Sequence, residues 1–232
     1  MSLVCEGLTA GYGKVRILWD VSLEVEQGEC VALLGKNGMG KTTLLKALMG
    51  IADRHEGTLT MCGTQVGRWP THRIVGLGVS YVAQEEPVFG DLTVEENLRL
   101  GGLRVSDYGA ARRRVTDVFP RLGERLRQKA GTLSGGERKM LMIGRAILPE
   151  PKLVMMDEVS EGLQPSARDV VSATLTEYRT KTNAAIFLVE QNLEFALATA
   201  NRFVVLNGGR IVETGDTGDA DAASKIVRHM TL

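Results

Sequence analysis

Continuously apolar runs of four to six residues recur along the chain, each ending where charge, glycine or proline takes over. Cys30-Val31-Ala32-Leu33-Leu34, Leu153-Val154-Met155-Met156 and Ala184 to Val189 are apolar at every position, the pattern of strands covered on both faces. Leu3 to Leu8, Val15 to Val25, Gly78 to Val82 and Phe203 to Leu206 read as further strands between turn residues. Helical periodicity fills other stretches. Thr43 to Met49 is a helix-like run stopped by Gly50, and Ser166 to Arg179 predicts a helix between two strands. Residues 84–149 are mostly helical in pattern, with Thr93-Val94-Glu95-Glu96 as one helix start.

Strands alternating with helices predict an α/β fold with a mostly parallel sheet. The helical stretch reads as a lobe inserted into the sheet domain. The expected division is one domain with residues 1–84 and 150–232 as its α/β core and residues 85–149 as the lobe. No repeats, low-complexity tracts or long linkers interrupt the pattern.

Composition narrows the function more than the fold. With 232 residues, 44% hydrophobic and 24% charged, the chain has ordinary globular make-up. Lys+Arg and Asp+Glu each total 28, so net charge argues for neither a nucleic acid nor an anionic bilayer as partner. The Arg112-Arg113-Arg114 run reads as a solvated helix face. No apolar stretch approaches the roughly 20 residues that cross a bilayer, and no secretion signal is read at the N-terminus. Cys5, Cys30 and Cys62 lack metal-type spacing and read as free, buried thiols in a reducing cytosol.

Three motifs carry chemistry. Gly35-Lys36-Asn37-Gly38-Met39-Gly40-Lys41-Thr42 follows an apolar strand and opens a helix, the context in which G-x-x-x-x-G-K-[ST] cradles phosphate. Its glycines admit backbone N–H groups to the anion, and the helix N-terminus faces it. Lys41 suits the β- and γ-phosphates of ATP, and Thr42 suits Mg2+; Gly38, Met39, Gly40 and Thr43 offer further backbone donors. Asp157 and Glu158 follow the strand at Leu153 to Met156. There Asp157 is placed to hold magnesium and Glu158 to orient or deprotonate an attacking water. Leu133-Ser134-Gly135-Gly136-Glu137 contains a capping box between Ser134 and Glu137. The Gly135-Gly136 doublet is costly in a helix and unnecessary for a cap, which makes this N-terminus a second anion site. Two phosphate sites on separate lobes suggest a nucleotide sandwiched between two chains.

These residues, together with Gln84, occur in an order that resembles the ATP-binding-cassette ATPases, over essentially the whole chain. The resemblance implies a P-loop NTPase (RecA-like) core with an N-terminal antiparallel β part and an inserted helical signature lobe. It also implies that Tyr12, between Gly11 and Gly13, stacks on adenine and that Gln84 contacts magnesium and senses a membrane subunit. Asn37 and Gly35 fall within the same nucleotide-binding loop. Gly11-Tyr12-Gly13, Leu92 to Leu98, Ser160 to Pro165 and Leu188-Val189-Glu190-Gln191-Asn192 are similar to the shorter ATPase subunit of branched-chain amino-acid importers. Ser160 to Pro165 is also similar to relatives in urea and amide importers. The implied partners are transmembrane permease subunits, a second cassette ATPase (identical or a sibling) and, indirectly, a solute-binding protein. The implied place is the cytoplasmic face of the cell membrane.

The chain departs from the general pattern at Ala83, Val159, Arg138 and Lys139. The most consequential departure is Gln191, which stands where a switch histidine is common. Two other readings compete with the transporter motor. Soluble cassettes acting on DNA or ribosomes usually carry two cassettes in one chain or long insertions, and neither fits in 232 residues. A regulatory subunit with weak hydrolysis draws support from Gln191 and is opposed by Glu158.

Overall fold

The continuous runs become the centre of a six-stranded sheet, and the polar-alternating segments become its cover. The protein is described from a computed structural model, which covers residues 1–84 and 88–230. In chain order, β1 (Leu3–Tyr12), β2 (Val15–Val25) and β3 (Cys30–Leu34) precede α1 (Lys41–Leu48). Then come β4 (Asp53–Met61), β5 (Thr64–Gln65), α2 (Thr71–Val75) and β6 (Val79–Val82). Four helices follow: α3 (Val94–Gly101), α4 (Tyr108–Val118), α5 (Pro120–Glu124) and α6 (Gly135–Ile147). The chain continues through β7 (Leu153–Asp157), α7 (Pro165–Thr182), β8 (Ala185–Glu190) and α8 (Leu193–Thr199). It ends on β9 (Arg202–Asn207), β10 (Arg210–Asp216) and α9 (Ala222–Met230).

The larger sheet has the order β10-β9-β3-β8-β7-β6, parallel throughout except for the antiparallel edge pair β9 and β10. The smaller sheet, β2-β1-β4-β5, is antiparallel. Alternation within β3 shows why its sequence is apolar at every position. Cys30, Ala32 and Leu34 join a core shared with α6, α7 and α8, while Val31 and Leu33 join a second core shared with α1 and the antiparallel sheet. Each face of the strand meets a different hydrophobic layer, so no position is left for a polar residue. The consequence for function is positional. β3, β7 and β8 end side by side, and the loops carrying Gly35, Glu158 and Gln191 leave from that one edge.

Several expectations need correction. The first strand runs on from Leu8 to Tyr12, and the helix expected over Ser166 to Arg179 extends from Pro165 to Thr182. Strands β4 and β10 and helices α2, α8 and α9 lay outside the sequence reading. β4 is mostly exposed over its first six residues, and β10 alternates half-buried with exposed positions, so neither shows the apolar run that marks the central strands. Cys5 and Cys30 are buried thiols as expected, but Cys62 is only partly buried, in the turn after β4.

Candidate phosphate and carboxylate site

The loop between β3 and α1 is shaped by its glycines. A Cβ at Gly35 would lie 2.3 Å from the Leu206 carbonyl oxygen, and one at Gly40 would lie 2.9 Å from Leu18 Cδ2. Gly38 and Gly40 take φ of 79° and 104°, which other residues rarely adopt. Gly40 caps α1 with no side-chain hydrogen bond, so the first N–H groups of the helix keep their donors for an anion. Met39 pins the loop from outside: its carbonyl accepts from Gly209 N–H at 3.1 Å and its sulfur from Gly208 N–H at 3.3 Å.

Lys41 lies buried at the centre. Its Nζ donates to the carbonyls of Gly35 at 2.8 Å and Lys36 at 3.1 Å, and sits 3.4 Å from Glu158 Oε1. The other Glu158 oxygen accepts from Gln84 Nε2 at 3.1 Å, and the same amide donates to Glu161 Oε2 at 2.9 Å. Glu158 itself is buried and held in a left-handed conformation, φ 48°, with its N–H donating to Val189 O at 2.9 Å. Such a backbone carries a small strain for a non-glycine residue. Here it turns the side chain back over the loop instead of along the strand.

Asp157 ends β7 and is fully buried, and neither carboxylate oxygen has a hydrogen-bond partner of normal geometry. Burial pushes its pKa up to about 6, and the Glu158 charge pushes the same way; the neighbouring Thr42 hydroxyl and Lys41 pull it down. A buried carboxylate without donors, beside a hydroxyl, is the donor set of a hard divalent cation. Among the described residues, no cluster of three His, Cys, Asp or Glu could hold a metal alone.

Gln191 follows β8 and reaches the loop, where its Nε2 donates to Asn37 Oδ1. Its neighbour Glu190 is buried and accepts from Ser160 N–H at 2.9 Å and Ser160 Oγ at 2.7 Å. Burial raises the Glu190 pKa against those hydrogen bonds. This brace ties the segment after Glu158 to the end of β8. Sequence reasoning had Glu190 only as a subfamily marker and missed Ser160 and Glu161 as partners. Lys139, one of the departures from the general pattern, places Nζ 3.4 Å from the Glu158 carbonyl; burial lowers its pKa while the surrounding carboxylates raise it.

Tyr12 stands at the end of β1, 43% exposed. Gly11 is required there, since a Cβ would fall 1.9 Å from the Val15 carbonyl oxygen. Gly13 turns at φ 57° and donates to Asp53 Oδ2 at 2.8 Å. The same hairpin brings Ile17 and Leu18 against Gly40, so β1 and β2 flank the phosphate loop.

Ser134 to Glu137 forms the expected capping box. Ser134 N–H donates to Glu137 Oε2 at 2.9 Å, and Glu137 N–H donates to Ser134 Oγ at 3.2 Å. The Ser134 N–H foremost holds the Glu137 carboxyl below its usual range, and Arg125 pairs with it at 3.1 Å. A Cβ at Gly135 would meet nothing within 4 Å, and one at Gly136 only Ala167 and Leu163 at ordinary contact distance. Neither glycine needs a left-handed φ. The groove at this helix start is lined by Phe119, Arg125, Met140 and Ala167, and by none of residues 35–43. Lys41, Thr42, Gln84, Asp157, Glu158 and Gln191 therefore gather at one edge, while Ser134 to Glu137 faces elsewhere.

Comparison with known proteins gives the family and the fold. The family model for ABC transporters matches residues 18–161. The chain is 43% identical over 223 residues to the high-affinity branched-chain amino acid transport ATP-binding protein BraG of Pseudomonas aeruginosa, covering 95% of each chain. It is 35% identical over 215 residues to the probable branched-chain amino acid transport ATP-binding protein LivF of Archaeoglobus fulgidus, covering 91% of each. Among solved structures, an ATP-binding subunit of an ABC transporter superposes with a TM-score of 0.81 at 29% identity, covering 100% of this chain and 95% of the other. The ADP conformation of an ATP-binding cassette shares the fold at a TM-score of 0.85 and 23% identity, covering 97% and 93%.

Proposed function

Because the chain belongs to the ABC transporter family, we propose that it is the ATP-hydrolysing subunit of a membrane importer for branched-chain amino acids. The observation that carries the reading is the buried contact of Lys41 with Glu158, 3.4 Å apart at the edge where β3 and β7 end. It sets the cation of a phosphate loop against a carboxylate able to act on water.

In this reading the N–H groups of Gly38 to Thr43 and the Lys41 ammonium bind the phosphates of ATP. Lys41 leaves the Gly35 and Lys36 carbonyls for the β- and γ-phosphates, which releases Glu158 to take a proton from the attacking water. Thr42, Asp157 and the Gln84 amide oxygen would hold magnesium, which supplies charge neutralisation at the β- and γ-oxygens. Tyr12 stacks on the base. Gln191 is a neutral donor at the γ-phosphate and holds Asn37 in place. The lobe expected over residues 85–149 carries Ser134, Gly135, Gly136 and Glu137 to the nucleotide of a second cassette; among the described residues nothing lies within 4 Å of a Cβ placed on Gly135.

Among the described residues no helix is long and apolar enough to cross a membrane. The proposed motor works at the cytoplasmic face of permease subunits, with cargo delivered by a solute-binding protein. Co-expression with candidate permease subunits tests this. The expected result is a complex whose ATP turnover rises with leucine-loaded binding protein. A chain that never co-purifies with permeases, or whose complex responds only to urea or amides, contradicts the assignment.

A further inference from the structure

Glu158 bends back over the phosphate loop in a left-handed conformation, φ 48°, yet nothing in its local sequence fixes such a turn. Glu158, Val159 and Ser160 include neither glycine nor proline. A backbone of this kind persists only where its surroundings over-determine it. Two of the anchors come from the last two residues of β8. Val189 O accepts from Glu158 N–H at 2.9 Å, and the Glu190 carboxylate accepts from Ser160 N–H at 2.9 Å and from the Ser160 hydroxyl at 2.7 Å. Val159, between these anchors, is fully buried, and Lys139 Nζ reaches the Glu158 carbonyl from α6 at 3.4 Å.

β8 is apolar from Ala185 to Val189 and buried throughout, so burial alone favours another apolar residue at its last position. Glu190 stands there instead, 1% exposed. A carboxylate so deeply buried is costly unless its oxygens are bonded, and each oxygen has a short bond to the same serine. The next residue, Gln191, donates to Asn37 in the phosphate loop. Adjacent residues at one strand end therefore hold the two loops whose separation sets the distance from Glu158 to Lys41, 3.4 Å in this structure.

We propose that Glu190 is a positioning residue for hydrolysis, which through Ser160 fixes the left-handed turn that aims the Glu158 carboxylate at water beside the phosphate loop. It acts through Glu158 and not on the nucleotide, so the proposal rests on the reading of Glu158 as the group that activates water. What Glu190 supplies is geometry and not charge, and that separates its variants. A glutamine in its place can accept from Ser160 N–H with its oxygen and donate to the hydroxyl oxygen with its nitrogen. An alanine can do neither and leaves the Ser160 N–H unpaired.

ATP hydrolysis by the purified full chain with magnesium, measured in the parent and in a Glu158→Gln background, tests the proposal. Glu190→Ala should lower kcat about 10- to 100-fold, the cost of misplacing a catalytic group by about 1 Å, with KM within about twofold. Ser160→Ala, which keeps the N–H arm, should lower it about three- to tenfold. Glu190→Gln should retain at least about a third of the parent kcat, since both bonds can be remade. In the Glu158→Gln background all three should change the residual rate by less than about threefold, because the group they position is gone. A merely structural brace would slow both backgrounds alike, and that result overturns the proposal. A folded Glu190→Ala with the parent kcat, or Glu190→Gln as slow as Glu190→Ala, overturns it too. If Glu190→Ala fails to fold by circular dichroism, Ser160→Ala decides alone: a drop confined to the parent background supports the proposal, and an equal drop in both, or none, overturns it. A Glu158→Gln variant hydrolysing at the parent rate would remove the water-activating reading together with this one, whereas equal losses in the two backgrounds remove only this one.

Discussion

Replacing Gly135 and Gly136 together by alanine should make the isolated chain more stable and the motor worse. Neither position demands glycine for the fold: φ is ordinary at both, the first Cβ meets nothing within 4 Å, and the second makes contacts at 3.6 and 3.8 Å. Glycine costs a helix interior about 0.8–1.0 kcal/mol relative to alanine. Allowing about half of that in a first turn, the double variant gains roughly 1 kcal/mol, a rise of about 2–4 °C in Tm for a chain of this size. The same methyl groups stand between the backbone N–H groups and any incoming phosphate. Hydrogen bonds to a charged group are worth about 1.5–3 kcal/mol each. Losing one should therefore weaken ATP-driven association by roughly 10- to 100-fold. Thermal melting without nucleotide and sedimentation with ATP and magnesium, in a Glu158→Gln background, read the two effects separately. A Tm lowered by several degrees would mean that the fold needs these glycines. Unchanged association would mean that the face meets no nucleotide.

Asp157→Asn should also stabilise the nucleotide-free chain at neutral pH. The folded carboxyl titrates at about 6 against an ordinary 3.8, so its favourable contribution is complete below about pH 3.8 and is lost as pH rises through 6. At about 1.4 kcal/mol per pKa unit the ceiling is roughly 3 kcal/mol. The variant's Tm should exceed the parent's by up to about 6–12 °C above pH 7, with the gap closing toward pH 4; a less stable variant at pH 8 refutes the buried-charge argument. Gln191→His should raise kcat about ten- to a hundredfold with KM nearly unchanged, because a rigid imidazole replaces a flexible amide now bonded to Asn37. A flat or lowered kcat in steady-state assays would make the glutamine an adapted catalytic group.

What the sequence made legible follows the strength of the local signal. β3, β7 and β8 are buried on both faces, so their runs stand out against any background. The phosphate loop and the Ser134–Glu137 box are contiguous in sequence, and their internal hydrogen bonds join residues no more than six positions apart. β4 and β10 escaped because most of their residues are exposed or only half-buried, leaving neither a run nor a clean alternation of apolar residues. The links that assemble the site escaped for a different reason. Gln84 meets Glu158 across 74 residues, Gln191 meets Asn37 across 154, and Ser160 meets Glu190 across 30. Such pairings depend on strand order, which the pattern of apolar positions does not encode. The motif glutamates Glu158 and Glu190 look alike as acids ending a strand. The structure adds that Glu158 faces Lys41 while Glu190 is locked to Ser160.

The central claim is that Glu158 activates water for a nucleotide held by the loop at Lys41. Single-turnover hydrolysis by Glu158→Gln, with bound nucleotide quantified in the same sample, tests it most directly. The account predicts a rate lowered by about 10²–10⁴-fold with ATP retained on the protein. A rate close to the parent's, or loss of ATP binding along with the rate, would contradict it.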